Sequence, residues 1–139
     1  MEINKELFNE GRVAMQKKSV LLIEDEKDLA ECLTSLFEDW NMAVSIAFDL
    51  ATVRSIIEQN QHFDLIILDA FLRGQKSLDL IPQLKSLPGN PTLVMMSGEI
   101  LDNVRNQSIL NGAHVYIQKP FTFSELETLI SKAMNTQIH

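Results

Sequence analysis

The sequence predicts an α/β fold in which a parallel sheet is covered by helices on both faces. Three observations carry this. Five short aliphatic runs alternate with amphipathic segments, the spacing of successive βαβ units. Most of the runs are continuously apolar, as strands buried on both faces must be. The chain has 139 residues and is 45% hydrophobic, enough for one domain with a proper core and too little for two ordinary ones.

The runs are "SVLLI" (19 to 23), "AVSIA" (43 to 47), "LIIL" (65 to 68), "TLVMM" (92 to 96) and "HVYI" (114 to 117). In the second, Val44, Ile46 and Phe48 alternate with smaller or polar residues, which reads as an edge strand. Between the runs, Leu29, Leu33, Leu36 and Phe37 form a helical stripe, as do Val53, Ile56 and Ile57. Pro82 inside "SLDLIPQLKSL" deletes a hydrogen bond if Ser77 caps the third helix but none if Asp79 does, so a late start or a distorted first turn is expected. The segment from Ile100 to Leu110 is a less cleanly amphipathic helix, ended by Asn111-Gly112 with a residue suited to positive φ. Leu126, Leu129, Ile130, Ala133 and Met134 make the clearest stripe, and Thr122 and Glu125 before it have capping-box spacing. Residues 1 to 17 read as an extension, a short helix around Ile3, Leu7 and Phe8 or a frayed segment, preceding a domain from 18 to 139.

Composition narrows the function. Nineteen acidic against twelve basic residues give a net charge of −7, which disfavours nucleic acid or an anionic membrane surface as partners of this chain and suits metal ions or basic protein surfaces. A single cysteine, Cys32, forms no internal disulfide, fits a reducing cytoplasm, and by its spacing from Leu29 and Leu36 is expected to be a buried structural thiol. No apolar run reaches membrane-span length, and "MEINKELFNE" is too charged for a signal peptide, so a cytoplasmic location is expected.

The polar residues fall at the ends of the strands. The first run is followed by Glu24 and Asp25, the third by Asp69, the fourth by Ser97, and the fifth by Gln118-Lys119-Pro120. In a parallel sheet these ends share one edge, so three carboxylates, a hydroxyl and an ammonium come together. Each alone has an ordinary explanation: acids begin helices, and Asp, Ser and Gly make turns. Two carboxylates 4 Å apart repel by roughly 4 kcal/mol at an effective dielectric near 20, so the cluster calls for a cation or a proton. Mg²⁺ suits an all-oxygen site with few protein ligands. Metal, ammonium and hydroxyl grouped around one carboxylate suit in-line phosphoryl transfer to that carboxylate.

In "LLIEDE", "LIILDA", "VMMSG" and "YIQKPF", in that order and spacing from about 20 to 135, the chain resembles the receiver domain of two-component response regulators. The resemblance implies a (βα)₅ flavodoxin-like fold, a doubly wound parallel five-stranded sheet of order 2-1-3-4-5. It implies Asp69 as the aspartate phosphorylated by a sensor histidine kinase or phosphotransfer protein, with Ser97 and Lys119 contacting the phosphoryl group. Mg²⁺ would be held by Asp25, Asp69, Glu24 through water, and the backbone carbonyl of Phe71. Tyr116 falls at the switch-aromatic position beside Ser97, coupling phosphorylation to the face formed by helix 4, strand 5 and helix 5, where a downstream protein target binds or a phosphorylation-dependent dimer forms. Phe71 and Glu99 stand where the family tunes dephosphorylation, and the Lys119-Pro120 bond is expected to be cis.

The chain also departs from the family. In "DAFLRGQKSLD" the family's usual proline is Arg73 and its usual glycine is Ser77, so the loop beyond Asp69 is expected to be displaced. Two other functions compete with the leading one. A degenerate receiver, acting as a phosphorylation-independent interaction module, would not need Asp25, Asp69, Ser97 and Lys119 intact. A Mg²⁺-dependent phosphohydrolase of the haloacid dehalogenase type needs a second acid two residues after its nucleophile, where this chain has Phe71. The expected role is therefore a signalling module rather than an enzyme acting on other substrates.

Overall fold

A computed structural model describes residues 17–98 and 102–135. The expected amino-terminal helix and Glu99 lie outside them. Five strands, β1 (Lys18–Ile23), β2 (Met42–Ala47), β3 (Leu65–Asp69), β4 (Thr92–Ser97) and β5 (Val115–Gln118), form one sheet in the order β2-β1-β3-β4-β5. Every neighbouring pair is parallel. The helices are α1 (Lys27–Asp39), α2 (Leu50–Gln59), α3 (Ile81–Lys85), α4 (Asp102–Leu110) and α5 (Phe123–Met134). This is the flavodoxin-like doubly wound arrangement that the sequence predicts.

The alternation of side chains along each strand divides the core in two. Leu21, Ile23, Ile66, Leu68, Leu93 and Met95 point to one face, where Val53 and Ile56 of α2, Ile81 and Leu84 of α3, and Val104 of α4 cover them. Val20, Leu22, Leu65, Ile67, Val94 and Met96 point to the other, against Ala30, Leu33 and Phe37 of α1 and Leu126 and Ile130 of α5. Phe37 closes that layer with an edge-to-face contact to Trp40, ring centroids 5.5 Å apart. β2 lies at the sheet edge, and its middle residues are exposed or only half-buried, unlike the fully buried β3.

Several local readings are met in detail. Thr122 accepts from the Glu125 amide while the Glu125 carboxylate accepts from the Thr122 amide, a complete capping box on α5. Gly112, just beyond α4, has φ +117°. Around Pro82 the first turn is distorted: a 3₁₀ turn at Leu78–Leu80 precedes α3, and the proline falls in the first turn of α3, where its missing N–H removes no bond.

Cys32 differs from expectation, being exposed rather than buried. The buried line of α1 runs through Ala30, Leu33 and Phe37, and Cys32 lies about 100° of helical rotation away from Leu33. The stripe through Leu29 and Leu36, which suggested burial, is itself only half-buried.

Beyond Asp69 the chain makes a two-stranded antiparallel hairpin, Phe71–Leu72 against Gln75–Lys76. Arg73 and Gly74 turn it, with φ +51° and +77°, the two positive values of a type I′ turn. Gly74 adopts this freely; Arg73 does so at a cost of roughly 1 kcal/mol. The loop expected to be displaced is thus a compact tongue that folds back beside the strand ends.

Candidate functional site

The strand order explains why the polar residues meet. From β1 the chain crosses to β2 on one side and then returns to β3 on the other, leaving a crevice at the carboxyl ends of β1 and β3. Glu24 and Asp25 follow β1, and Asp69 is the last residue of β3. One carboxylate oxygen from each of the three lies within 4.8 Å of the others. Glu24 is fully buried, Asp69 is buried, and Asp25 is half-buried toward the opening.

Lys119 enters from the end of β5. Its Nζ donates to Glu24 Oε1 at 2.8 Å and to Asp69 Oδ2 at 3.1 Å, so one ammonium bridges two of the acids. Its backbone amide donates to the Ser97 carbonyl at 2.8 Å, tying the loop to the end of β4, and the Lys119–Pro120 peptide that follows is cis. Ser97 itself is fully buried at the last position of β4, beside Gln118. The Glu24 and Asp69 carboxylates also accept backbone N–H groups: Glu26 to Glu24 Oε2 at 2.9 Å and Phe71 to Asp69 Oδ1 at 3.2 Å.

Electrostatics follow from this burial. Desolvation pushes the Glu24 carboxyl up to about 7, aided by the charge of Asp69 and opposed by its bonds from Lys119 and the Glu26 amide. Desolvation also works against the Lys119 ammonium, but the bond to Glu24 and the negative charge of Asp69 and Glu24 outweigh it and hold Lys119 above its ordinary value. Lys119 therefore stays charged, and Glu24 is the acid whose ionisation depends on what cation shares the crevice.

The structure brings together Glu24, Asp25, Asp69 and Lys119. Ser97 ends the neighbouring strand, while Tyr116 is half-buried in β5, opposite Met95, and packs against the core layer of α2, α3 and α4. Phe71 is half-buried in the hairpin and packs against the same layer. Because Leu72 and Gln75 close the two-residue turn, the next pair, Phe71 and Lys76, turns its backbone groups outward, as the Phe71 amide on Asp69 illustrates.

Two residues at the site carry no sequence signal of a role there. The Arg73 amide donates to Asp25 Oδ2 at 2.7 Å, and the Ser77 hydroxyl donates to the Asp69 carbonyl at 2.6 Å. The "RG" of the turn hints at a hairpin, but only the folded chain puts its tip on Asp25.

Comparison with known proteins agrees with this architecture. The family model for the response regulator receiver domain matches residues 20–131. The chain belongs to that family. Among characterised relatives, the transcriptional regulatory protein CutR of Streptomyces coelicolor is 36% identical over 110 residues, 77% of this chain and 49% of that protein. The chain thus spans about half the length of that relative. A crystal structure of a response regulator protein from Burkholderia pseudomallei, with a phosphorylated aspartic acid, calcium ion and citrate, superposes with TM-score 0.75 at 25% identity, covering 86% of this chain and 70% of that one. A CheY-like receiver domain protein from Methanospirillum hungatei shares the fold with TM-score 0.77 at 23% identity, over 86% and 94% of the two chains.

Proposed function

We propose that this receiver domain is a phosphoacceptor in which Asp69 takes a phosphoryl group from a sensor histidine kinase or a phosphotransfer protein. The observation that carries this reading is the convergence of three carboxylates within 4.8 Å with an ammonium 3.1 Å from Asp69. An oxygen of Asp69 attacks phosphorus in line, the P–N bond of the donor phosphohistidine breaks as the new O–P bond forms, and the freed imidazole takes a proton from water. Lys119 and the Ser97 hydroxyl contact the phosphoryl oxygens on the acceptor.

The donor set is three carboxylates, all hard oxygen ligands, and fits a small divalent cation. Glu24, Asp25 and Asp69, with the Phe71 carbonyl, would hold Mg²⁺, which when bound supplies positive charge against the phosphoryl oxygens. Phosphorylation draws Ser97 inward and turns Tyr116, changing the surface of α4, β5 and α5 for a downstream protein or a second phosphorylated copy. Phe71 and Glu99 set the lifetime of the acyl phosphate. A kinase-fed module of this kind works in the cytoplasm, and the net charge of −7 favours protein partners over nucleic acid.

The test is incubation with a small acyl phosphate and Mg²⁺ followed by intact mass. One phosphoryl adduct is expected, abolished in Asp69→Asn. No adduct would overturn the proposal and leave a phosphorylation-independent interaction module; an adduct that survives Asp69→Asn would overturn the assignment of Asp69 as the acceptor.

A further inference from the structure

The hairpin beyond Asp69 touches the acidic crevice at three heights. At its base the buried Ser77 hydroxyl donates to the Asp69 carbonyl at 2.6 Å, and the Ser77 amide donates to the Ala70 carbonyl at 3.0 Å. Midway, the Phe71 amide donates to Asp69 Oδ1 at 3.2 Å. At the tip, the Arg73 amide donates to Asp25 Oδ2 at 2.7 Å, and Arg73 Nε donates to the Phe48 carbonyl at 3.3 Å. The tip is therefore anchored both to Asp25 and to the loop after β2.

We infer that Ser77 and the Arg73 amide are positioning residues, which clamp the hairpin at both ends and so fix Asp69 and Asp25 relative to each other for the cation. A carboxylate accepts several hydrogen bonds, so one N–H on Asp25 Oδ2 orients the group and leaves lone pairs for a metal. Groups bonded to metal-binding residues from behind contribute about 10–100-fold to metal affinity; the Arg73 amide holds the Asp25 carboxylate directly, and Ser77 holds Asp69 through its main-chain carbonyl. The Asp69 carbonyl ends β3, where the chain leaves the sheet, and the Ser77 hydroxyl supplies a partner for it there. Neither a proline at 73, which has no N–H, nor a glycine at 77, which has no hydroxyl, could make these bonds. The clamp therefore depends on a non-proline residue at 73 and a hydroxyl at 77.

This inference rests on the Mg²⁺ reading above. Mg²⁺ alone is titrated calorimetrically into the unphosphorylated full chain and its variants, at a temperature where each is folded by circular dichroism. Ser77→Ala is expected to weaken Mg²⁺ binding about tenfold and Ser77→Thr, which keeps the hydroxyl, to restore it in large part. Ser86→Ala removes a hydroxyl bond of the same kind, to the Pro82 carbonyl at 2.9 Å, away from the crevice, and is expected to leave affinity unchanged. Unaltered affinity in Ser77→Ala, with only a lowered melting temperature, would overturn the inference and leave the Mg²⁺ reading standing. Failure of the unmodified chain to bind Mg²⁺ would overturn both. Should the Ser77 variants not fold, amide exchange in the unmodified chain decides: the Arg73 N–H is expected to be protected with and without Mg²⁺, and exchange at the free-peptide rate would overturn the clamp.

Discussion

Lys119 holds two carboxylates at once, and one of them, Glu24, has no access to water. Removing the ammonium in Lys119→Met leaves that acid buried without its ion partner, a change that costs about 3 kcal/mol or more in comparable buried pairs. The loss is expected near pH 8 and to shrink near pH 5.5, where Glu24 is already protonated; urea unfolding at the two values checks it, and an equal loss at both would contradict the assignment. Phe71 stands two residues beyond Asp69, the proposed phosphoacceptor, and packs on the core, where an apolar ring orients no attacking water. Phe71→Asn is therefore expected to shorten the life of the phosphorylated form several-fold, measured by loss of the adduct mass after the donor is removed. That Glu24, Asp25, Asp69 and Lys119 meet was readable residue by residue, because each lies one or two positions beyond an aliphatic run. Cys32 was misread because a helical stripe gives a direction but not the depth to which each of its edges is buried.

At the scale of elements, α5 is the segment whose start the sequence specifies best. Thr122 and Glu125 exchange hydrogen bonds, and the buried Leu126 and Ile130 follow immediately. Thr122→Ala is expected to cost about 1 kcal/mol, lowering the melting temperature by a few degrees without altering the mass of any phosphoryl adduct. The third helix was legible only as a difficulty: Pro82 excluded a regular start at Ser77, and the chain resolves this with a 3₁₀ turn. The hairpin shows the opposite case. Its Gly74 is a recognisable turn residue, but Arg73 in the left-handed region is not, since such a conformation opposes its own preference and persists only because its amide and guanidinium find Asp25 and the Phe48 carbonyl.

Across the whole molecule, the acidic crevice couples stability to pH and, on the proposed Mg²⁺ reading, to metal. Between the ordinary carboxylate value of 4.5 and about 7, the folded chain keeps a proton on Glu24 that the unfolded chain has released, so metal-free stability falls as pH rises through that window. Lys119, held above its ordinary value, contributes stability that is constant over the same range, because it is protonated in both states there. A divalent cation held by these acids, as proposed above, would displace the Glu24 proton and offset the repulsion among them. Mg²⁺ is therefore expected to raise the melting temperature more near pH 8 than near pH 5.5; at a concentration about a hundred times its dissociation constant at the higher pH, the stabilisation there is about 3 kcal/mol. A calorimetric scan with and without Mg²⁺ checks this, and an equal rise at both pH values would argue against Glu24 as part of the cation site.

By itself the sequence determined the class of fold and which polar residues gather at one edge: short apolar runs alternating with amphipathic segments make a parallel sheet covered on both faces, and polar residues just past such strands collect at one edge of it. The tertiary structure decided how that site is assembled. Which acids Lys119 bridges depends on the order β2-β1-β3-β4-β5, which sets Glu24 and Asp69 at the carboxyl ends of adjacent strands and brings a residue 95 positions from Glu24 to within 2.8 Å of it. That the hairpin tip rests on Asp25 was likewise decided in three dimensions, because a hydrogen bond between residues 48 positions apart has no local pattern in the chain to announce it.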